Sequence, residues 1–227
     1  MEKIEFQIPL NKKNNIKENI VSSLRPNNNG YSKITTNVYT FNTISHIDNN
    51  IYIMYNSACE YKTNKDYDNA LKLFNKCETI ITNETQYETI YEIYVNIALI
   101  YTEIGRSFDE ISSYYKKAME KFPDRAEPYF YLSLYCNKHK RVNDAYELLK
   151  CALNISYNDA KQKYKNVQYT AYGKFLLDEL SVTCCLHKKY DEAKRCIEII
   201  INDADFLYCK ERLNKNLKFI DMELEKV

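Results

Sequence analysis

Two short strings in this sequence are almost the same: Asp66-Tyr67-Asp68-Asn69-Ala70 and Lys189-Tyr190-Asp191-Glu192-Ala193. They belong to a pattern that recurs four times after about residue 50. An internal repeat restricts the fold more than any other signal. In each unit a small residue anchors a first helix. A second small residue follows twelve positions on, a large one four after that and a small one three further, with one extra residue in unit two. Unit one reads Ala58, Tyr61, Tyr67, Ala70, Phe74 and Cys77. Unit two reads Ala98, Tyr101, Gly105, Phe108, Tyr115, Ala118 and Pro123, and its extra residue falls in the turn after Gly105. Unit three reads Leu132-Ser133, Val142, Ala145, Leu149 and Ala152, and unit four Leu180-Ser181, Tyr190, Ala193, Ile197 and Ile200. The reason is steric. Small residues sit where two helices cross closely, and large ones fill the space beside the crossing.

This is the pattern of tetratricopeptide-like helical hairpins. The anchors at 58, 98, 133 and 181 lie 40, 35 and 48 residues apart, against an ideal period of about 34. The surplus falls near residues 81–86 and, more largely, at 157–173. Ser107-Phe108-Asp109-Glu110 reads as a capping box. Pro123 and Pro128 flank a helix–helix junction. From about 205 to 225, Leu207, Leu213, Leu217 and Ile220 recur at helical spacing. Such a helix, polar on one face, covers the last open surface of a stack of repeats. The fold class expected is all-α, a tetratricopeptide-like α-solenoid of about four hairpins plus a C-terminal capping helix. It occupies residues 49–227. Residues 1–48 form a poorly ordered or loosely docked N-terminal segment, with turns at 11–15 and 25–30, a short helix at 16–24 and a weakly alternating, extended stretch at 31–47.

Three Gly and four Pro in 227 residues disfavour β-sandwich and α/β folds, whose turns consume both. Lys plus Arg total 32 and Asp plus Glu 31, so no basic footprint for nucleic acid arises. No window reaches 18 uninterrupted apolar residues, so no membrane span is expected. The start, MEKIEFQIPL, lacks the apolar run of a signal peptide. Eight Cys without a CxxC read as reduced, mostly buried thiols, which places the chain in the cytoplasm.

Arg125-Ala126-Glu127-Pro128-Tyr129-Phe130-Tyr131-Leu132 resembles a string in a helical-repeat region that follows the catalytic domain of some family-2 glycosyltransferases, including ones from large DNA viruses. Leu176-Leu177-Asp178-Glu179-Leu180-Ser181 and Glu211-Arg212-Leu213-Asn214-Lys215-Asn216-Leu217-Lys218-Phe219 resemble later strings of that region, in the same order. The resemblance implies the appendage without the enzyme. About 50 residues precede the repeats and lack a nucleotide-binding strand pattern, so no catalytic residue is carried over.

The run Ile199-Ile200-Ile201 before Asp203-Ala204-Asp205 has the form of a metal-binding carboxylate pair, but the repeat register makes it the last turn of a helix running from Tyr190. Cys184-Cys185-Leu186-His187 holds soft ligands, yet adjacent helical Cys point about 100° apart. Buried packing is therefore expected, and no metal site. His139 and His187 fall at ends of first helices, where a cation offsets the helix dipole. Gly30, Gly105 and Gly173 are too scattered for a phosphate loop. No catalytic residue and no cofactor are expected. What remains is the concave face lined by first helices: Tyr52, Tyr55, Cys59, Glu92, Val95, Leu99, Glu127, Phe130, Leu134 and Asp178, with Val182. The expected function is a non-enzymatic scaffold that binds a protein or peptide segment, with replacement of Tyr55 and Phe130 by Ala weakening binding without unfolding. The alternative is a glycosyltransferase-associated domain that docks onto a separate catalytic chain.

Overall fold

The computed structural model describes residues 46–81 and 87–226. The N-terminal turns, the 16–24 helix and nearly all of the 31–47 stretch lie outside the described residues, as do 82–86. The described residues hold ten α-helices, two short 3-10 helices and no strand. They are α1 His46–Thr63, α2 Tyr67–Ile80, α3 Tyr87–Glu103, α4 Phe108–Lys121, α5 Glu127–Lys138, α6 Val142–Leu153, α7 Tyr157–Lys163, α8 Lys174–Leu186, α9 Tyr190–Ile200 and α10 Lys210–Leu224. The 3-10 helices span Tyr169–Ala171 and Ala204–Cys209. Helix α1 starts at His46, three residues before the expected domain start. The described chain divides into two compact units, one ending at Ile93 and one running from Tyr94. No helix in the described residues is long and apolar enough to cross a membrane.

In the unit ending at Ile93, α1 and α2 form a hairpin. Ala58, Ala70, Phe74 and Cys77 are fully buried, and Tyr55 meets Phe74 edge-on at 6.0 Å. Asp66 caps α2 by accepting from the Asn69 N–H at 3.3 Å.

In the unit from Tyr94 the same logic recurs. Ala98, Ala118, Ser133, Ala145, Ala152, Ser181 and Ala193 are all at 0 % exposure, so each small position sits at a helix crossing, where a longer side chain would force the helices apart. Ser107 and Glu110 form the capping box: the Glu110 N–H donates to Ser107 Oγ at 3.3 Å and the Ser107 N–H to Glu110 Oε2 at 3.0 Å.

The turn inside each hairpin also repeats. Lys65, Gly105, Lys140 and Lys188 have φ of 62°, 73°, 60° and 59°, and each lies seven residues after its anchor. In each turn the next residue donates its N–H back across the helix end, from Asp66 to Tyr61 O, Arg106 to Tyr101 O, Arg141 to Cys136 O and Lys189 to Cys184 O, at 2.8–2.9 Å. This left-handed C-cap satisfies carbonyls the helix leaves open.

The surplus at 157–173 is folded back and bolted to the chain. Glu127 receives Arg125 Nη2 at 2.9 Å, the Gln168 N–H at 3.0 Å and the Tyr172 hydroxyl at 2.8 Å. The Tyr172 oxygen also accepts from the Ala126 N–H at 3.1 Å, and Arg125 Nη2 donates to Asn166 O at 3.2 Å. Arg125, Glu127 and Tyr172 are all essentially inaccessible. Burial, and then the Glu127 charge, push the Tyr172 hydroxyl well above the usual phenol range, so it stays a donor. A second, part-buried pair ties α10 to α8: Arg212 Nη2 lies 3.0 Å from both oxygens of Asp178.

The C-terminal end differs from the expectation in one respect. Helix α9 stops at Ile200, because Asp203 turns its carboxylate onto the Asp205 N–H at 3.1 Å. The 3-10 helix Ala204–Cys209 follows, and α10 begins only at Lys210. Leu213 and Ile220 are buried as the helical spacing requires, but Leu207 is 59 % exposed. It belongs to the 3-10 helix, not to the apolar face of the cap.

Candidate functional site

The concave-face residues fall into two sets. Tyr52, Tyr55, Cys59 and Glu92 belong to the unit ending at Ile93. Tyr52 is 65 % exposed, and Tyr55, Cys59 and Glu92 are half-buried. Spacing of three and four residues puts Tyr52, Tyr55 and Cys59 on one face of α1. Burial raises the Cys59 thiol pKa, against the lowering effects of the Tyr55 hydrogen bond and the Lys62 charge.

Val95, Leu99, Glu127, Phe130, Leu134, Asp178 and Val182 belong to the other unit. Val95, Glu127, Phe130, Asp178 and Val182 are buried, so they meet the chain itself and not a partner. Glu127 and Asp178, both buried, are engaged by Arg125 and Arg212 in ion pairs. Leu99 and Leu134 are half-buried. Replacing Phe130 by Ala therefore does not make a clean binding test. It opens a cavity beside Tyr131, whose ring lies 5.9 Å away, at a cost of about 3–5 kcal/mol.

The carboxylate pair is engaged locally. Asp203 pairs with Lys174, and Asp205 accepts from the Tyr169 hydroxyl at 3.1 Å. Cys184 and Cys185 are buried, and His187 caps the end of α8 with its ring 5.7 Å from that of Tyr146. Among the described residues no group of three or more His, Cys, Asp or Glu is placed to hold a metal ion.

Burial also sets thiol chemistry. It pushes Cys136 and Cys196 up to about 11 and Cys185 to about 12, far from the thiolate needed for reaction. Cys151 alone of the eight is exposed. With iodoacetamide at pH 8, Cys151 is expected to be modified first, with Cys136, Cys184, Cys185 and Cys196 protected until the protein unfolds. Peptide mass mapping over time checks this. Early modification of Cys185 would contradict the burial described.

A surface that the repeat pattern did not point to lies where the two 3-10 helices meet. The rings of Tyr157, Tyr169, Phe175 and Phe206 follow one another at 5.1, 5.2 and 5.1 Å. Phe206 is fully buried, while Tyr169, Leu207 and Tyr208 stand out at 48 %, 59 % and 67 % exposure. The Lys174–Asp203 pair and a Lys210–Asn202 hydrogen bond of 3.1 Å belong to the same segments. The signal for it was Asp203, which starts a turn two residues before Asp205 and so frees Leu207 and Tyr208 from the cap helix.

No protein-family model matches the chain, and no curated protein matches its sequence. Solved structures do match in shape. The nearly identical TPR-like repeats of a kinesin light chain protein from Podosopora anserina superpose with a TM-score of 0.53 at 15 % identity, covering 78 % of this chain and 88 % of that one. A form of those repeats with one residue replaced gives 0.53 at 14 % identity, covering 81 % and 95 %. The fold is thus that of a tetratricopeptide-like α-solenoid built from helical hairpins.

Proposed function

We propose that this chain is a non-enzymatic interaction scaffold that binds a segment of another protein. The observation that supports this most directly is the aromatic shelf, which offers Tyr169, Leu207 and Tyr208 on a base of rings packed edge-on and tilted against one another. Large side chains on a rigid base lose little entropy when a partner covers them. The groove set contributes its accessible members, Tyr52, Tyr55, Cys59 and Glu92 in one unit and Leu99 and Leu134 in the other. The reading requires no cofactor, nucleic acid or membrane, and a cytoplasmic setting keeps all eight free cysteines reduced.

The test is capture of the tagged protein's partners from its own source, beside a Leu207→Ala/Tyr208→Ala variant. Both side chains are exposed, so stability should change by no more than about 0.5 kcal/mol each. The retained partner is expected to fall at least tenfold. Equal retention would remove the shelf from the binding surface.

A second reading rests on the three strings that resemble the glycosyltransferase-associated region, including that of large DNA viruses. In it the chain docks onto a separate glycosyltransferase. Identification of the captured protein separates the two readings, and turnover of a sugar nucleotide by the purified chain would overturn both.

A further inference from the structure

The hairpin turns of the unit from Tyr94 lie side by side along one edge. The Arg141 guanidinium sits 3.5 Å from the Phe108 ring centre, linking the α3–α4 and α5–α6 turns. Lys189 Nζ sits 3.4 Å from the Tyr146 ring centre, linking the α8–α9 turn to α6. Arg106, Lys140, Arg141, Lys188 and Lys189 fall in these three turns, and Lys138 ends α5.

Three acids of this edge are already engaged. Glu110 is held by Ser107 and Arg106, Asp144 by Arg141 at 2.6 Å, and Glu192 by Tyr146 and Lys150 at 2.8 and 3.1 Å. Asp109 and Asp191 lie in first turns of helices, beside positive dipole ends. Glu223, which senses Lys188, bonds Lys226 and Tyr190. Lys138, Lys140 and Lys188 are exposed and enter no ion pair among the described residues.

Backbone conformation gives an independent reason to look here. Lys140 and Lys188 hold the left-handed position that Gly105 fills in the neighbouring turn. Gly is the least strained residue there, and lysine pays for its Cβ. The strain is tolerated at two turns of this edge where the side chain delivered is a free cation.

From this arrangement we infer that the turn edge is a cationic ridge that binds an acidic peptide segment. The ridge reads charge alone. The rings beside it are already covered, Tyr135 by His139 at 4.1 Å, Phe108 by Arg141 and Tyr146 by Lys189. A single-stranded nucleic acid needs open ring faces on which to stack, so an acidic polypeptide fits better. This surface is separate from the aromatic shelf and stands or falls independently of it.

The test uses a fluorescein-labelled peptide of ten glutamates, followed by anisotropy at about 50 mM salt. The intact protein should bind it, and binding should weaken steeply with added salt. A Lys140→Gly/Lys188→Gly variant should bind at least fivefold more weakly while its Tm rises by a few degrees. That opposite pair of changes separates loss of contact from loss of fold. Absent binding by the intact protein, equal binding by the variant, or a fall in its Tm would overturn the inference. Tighter binding of a ten-nucleotide deoxythymidylate strand would overturn it in favour of nucleic acid.

Discussion

Replacing Glu127 by alanine is expected to lower stability by about 3–5 kcal/mol, because it removes the carboxylate paired with a buried guanidinium. Arg125 is 1 % exposed and has its carboxylate partner 2.9 Å away. Without Glu127 it keeps the Asn166 carbonyl and the Tyr164 ring face, neither of which carries a charge. The Gln168 N–H and the Tyr172 hydroxyl lose their acceptor as well. The expected fall in Tm is roughly 10 °C, read by thermal circular dichroism. Tyr172→Phe should cost less, about 1–2 kcal/mol, since it leaves the Ala126 N–H and one Glu127 oxygen short of a partner. The two changes should not add, because they share one network. If Glu127→Ala costs under about 1 kcal/mol, the lock contributes no more than a surface ion pair and the surplus segment is held by its aromatic contacts instead.

The lock explains which part of this chain was legible in its sequence. Repeat anchors are set by sterics at helix crossings, a local demand that one residue type meets. Ala58, Ala98, Ser133 and Ser181 could therefore be read directly, and every one is fully buried. The extra residue that delays α4 after Gly105 followed from the same register. The site was less legible. The first-helix rule assigns side chains to a concave face, but it assumes an undecorated repeat. Here residues 157–173 fold back onto Glu127, and Arg212 on α10 claims Asp178. Both acids were thus taken inward by partners 41 and 34 residues away, which no local pattern records. Leu207 shows the converse. Its helical spacing from Leu213 suited the cap, and only the Asp203 turn takes it to the surface.

Replacing Asp178 by alanine is expected to loosen the C-terminal cap selectively. Arg212 holds both Asp178 oxygens at 3.0 Å, with its side chain 15 % exposed. That small opening lets it reach water, so the expected cost is about 2–3 kcal/mol, lower than for a sealed pair. Amides of α10 should exchange faster with deuterium, while those of α4 to α6 keep their protection, because sub-global opening follows the weakest tie. An Asp178→Leu/Arg212→Met double change should recover much of the loss by replacing the pair with apolar volume. Uniform exchange across both regions would mean that α10 unfolds only with the rest of the unit, and would remove its role as a separable cap. The result also bears on the resemblance. Arg125 and Glu127 lie in the first of the three resembling strings, Asp178 in the second and Arg212 in the third. All four make internal ion pairs. These four side chains are turned to one another inside the fold, and that is why the partner has to be identified at the exposed surfaces.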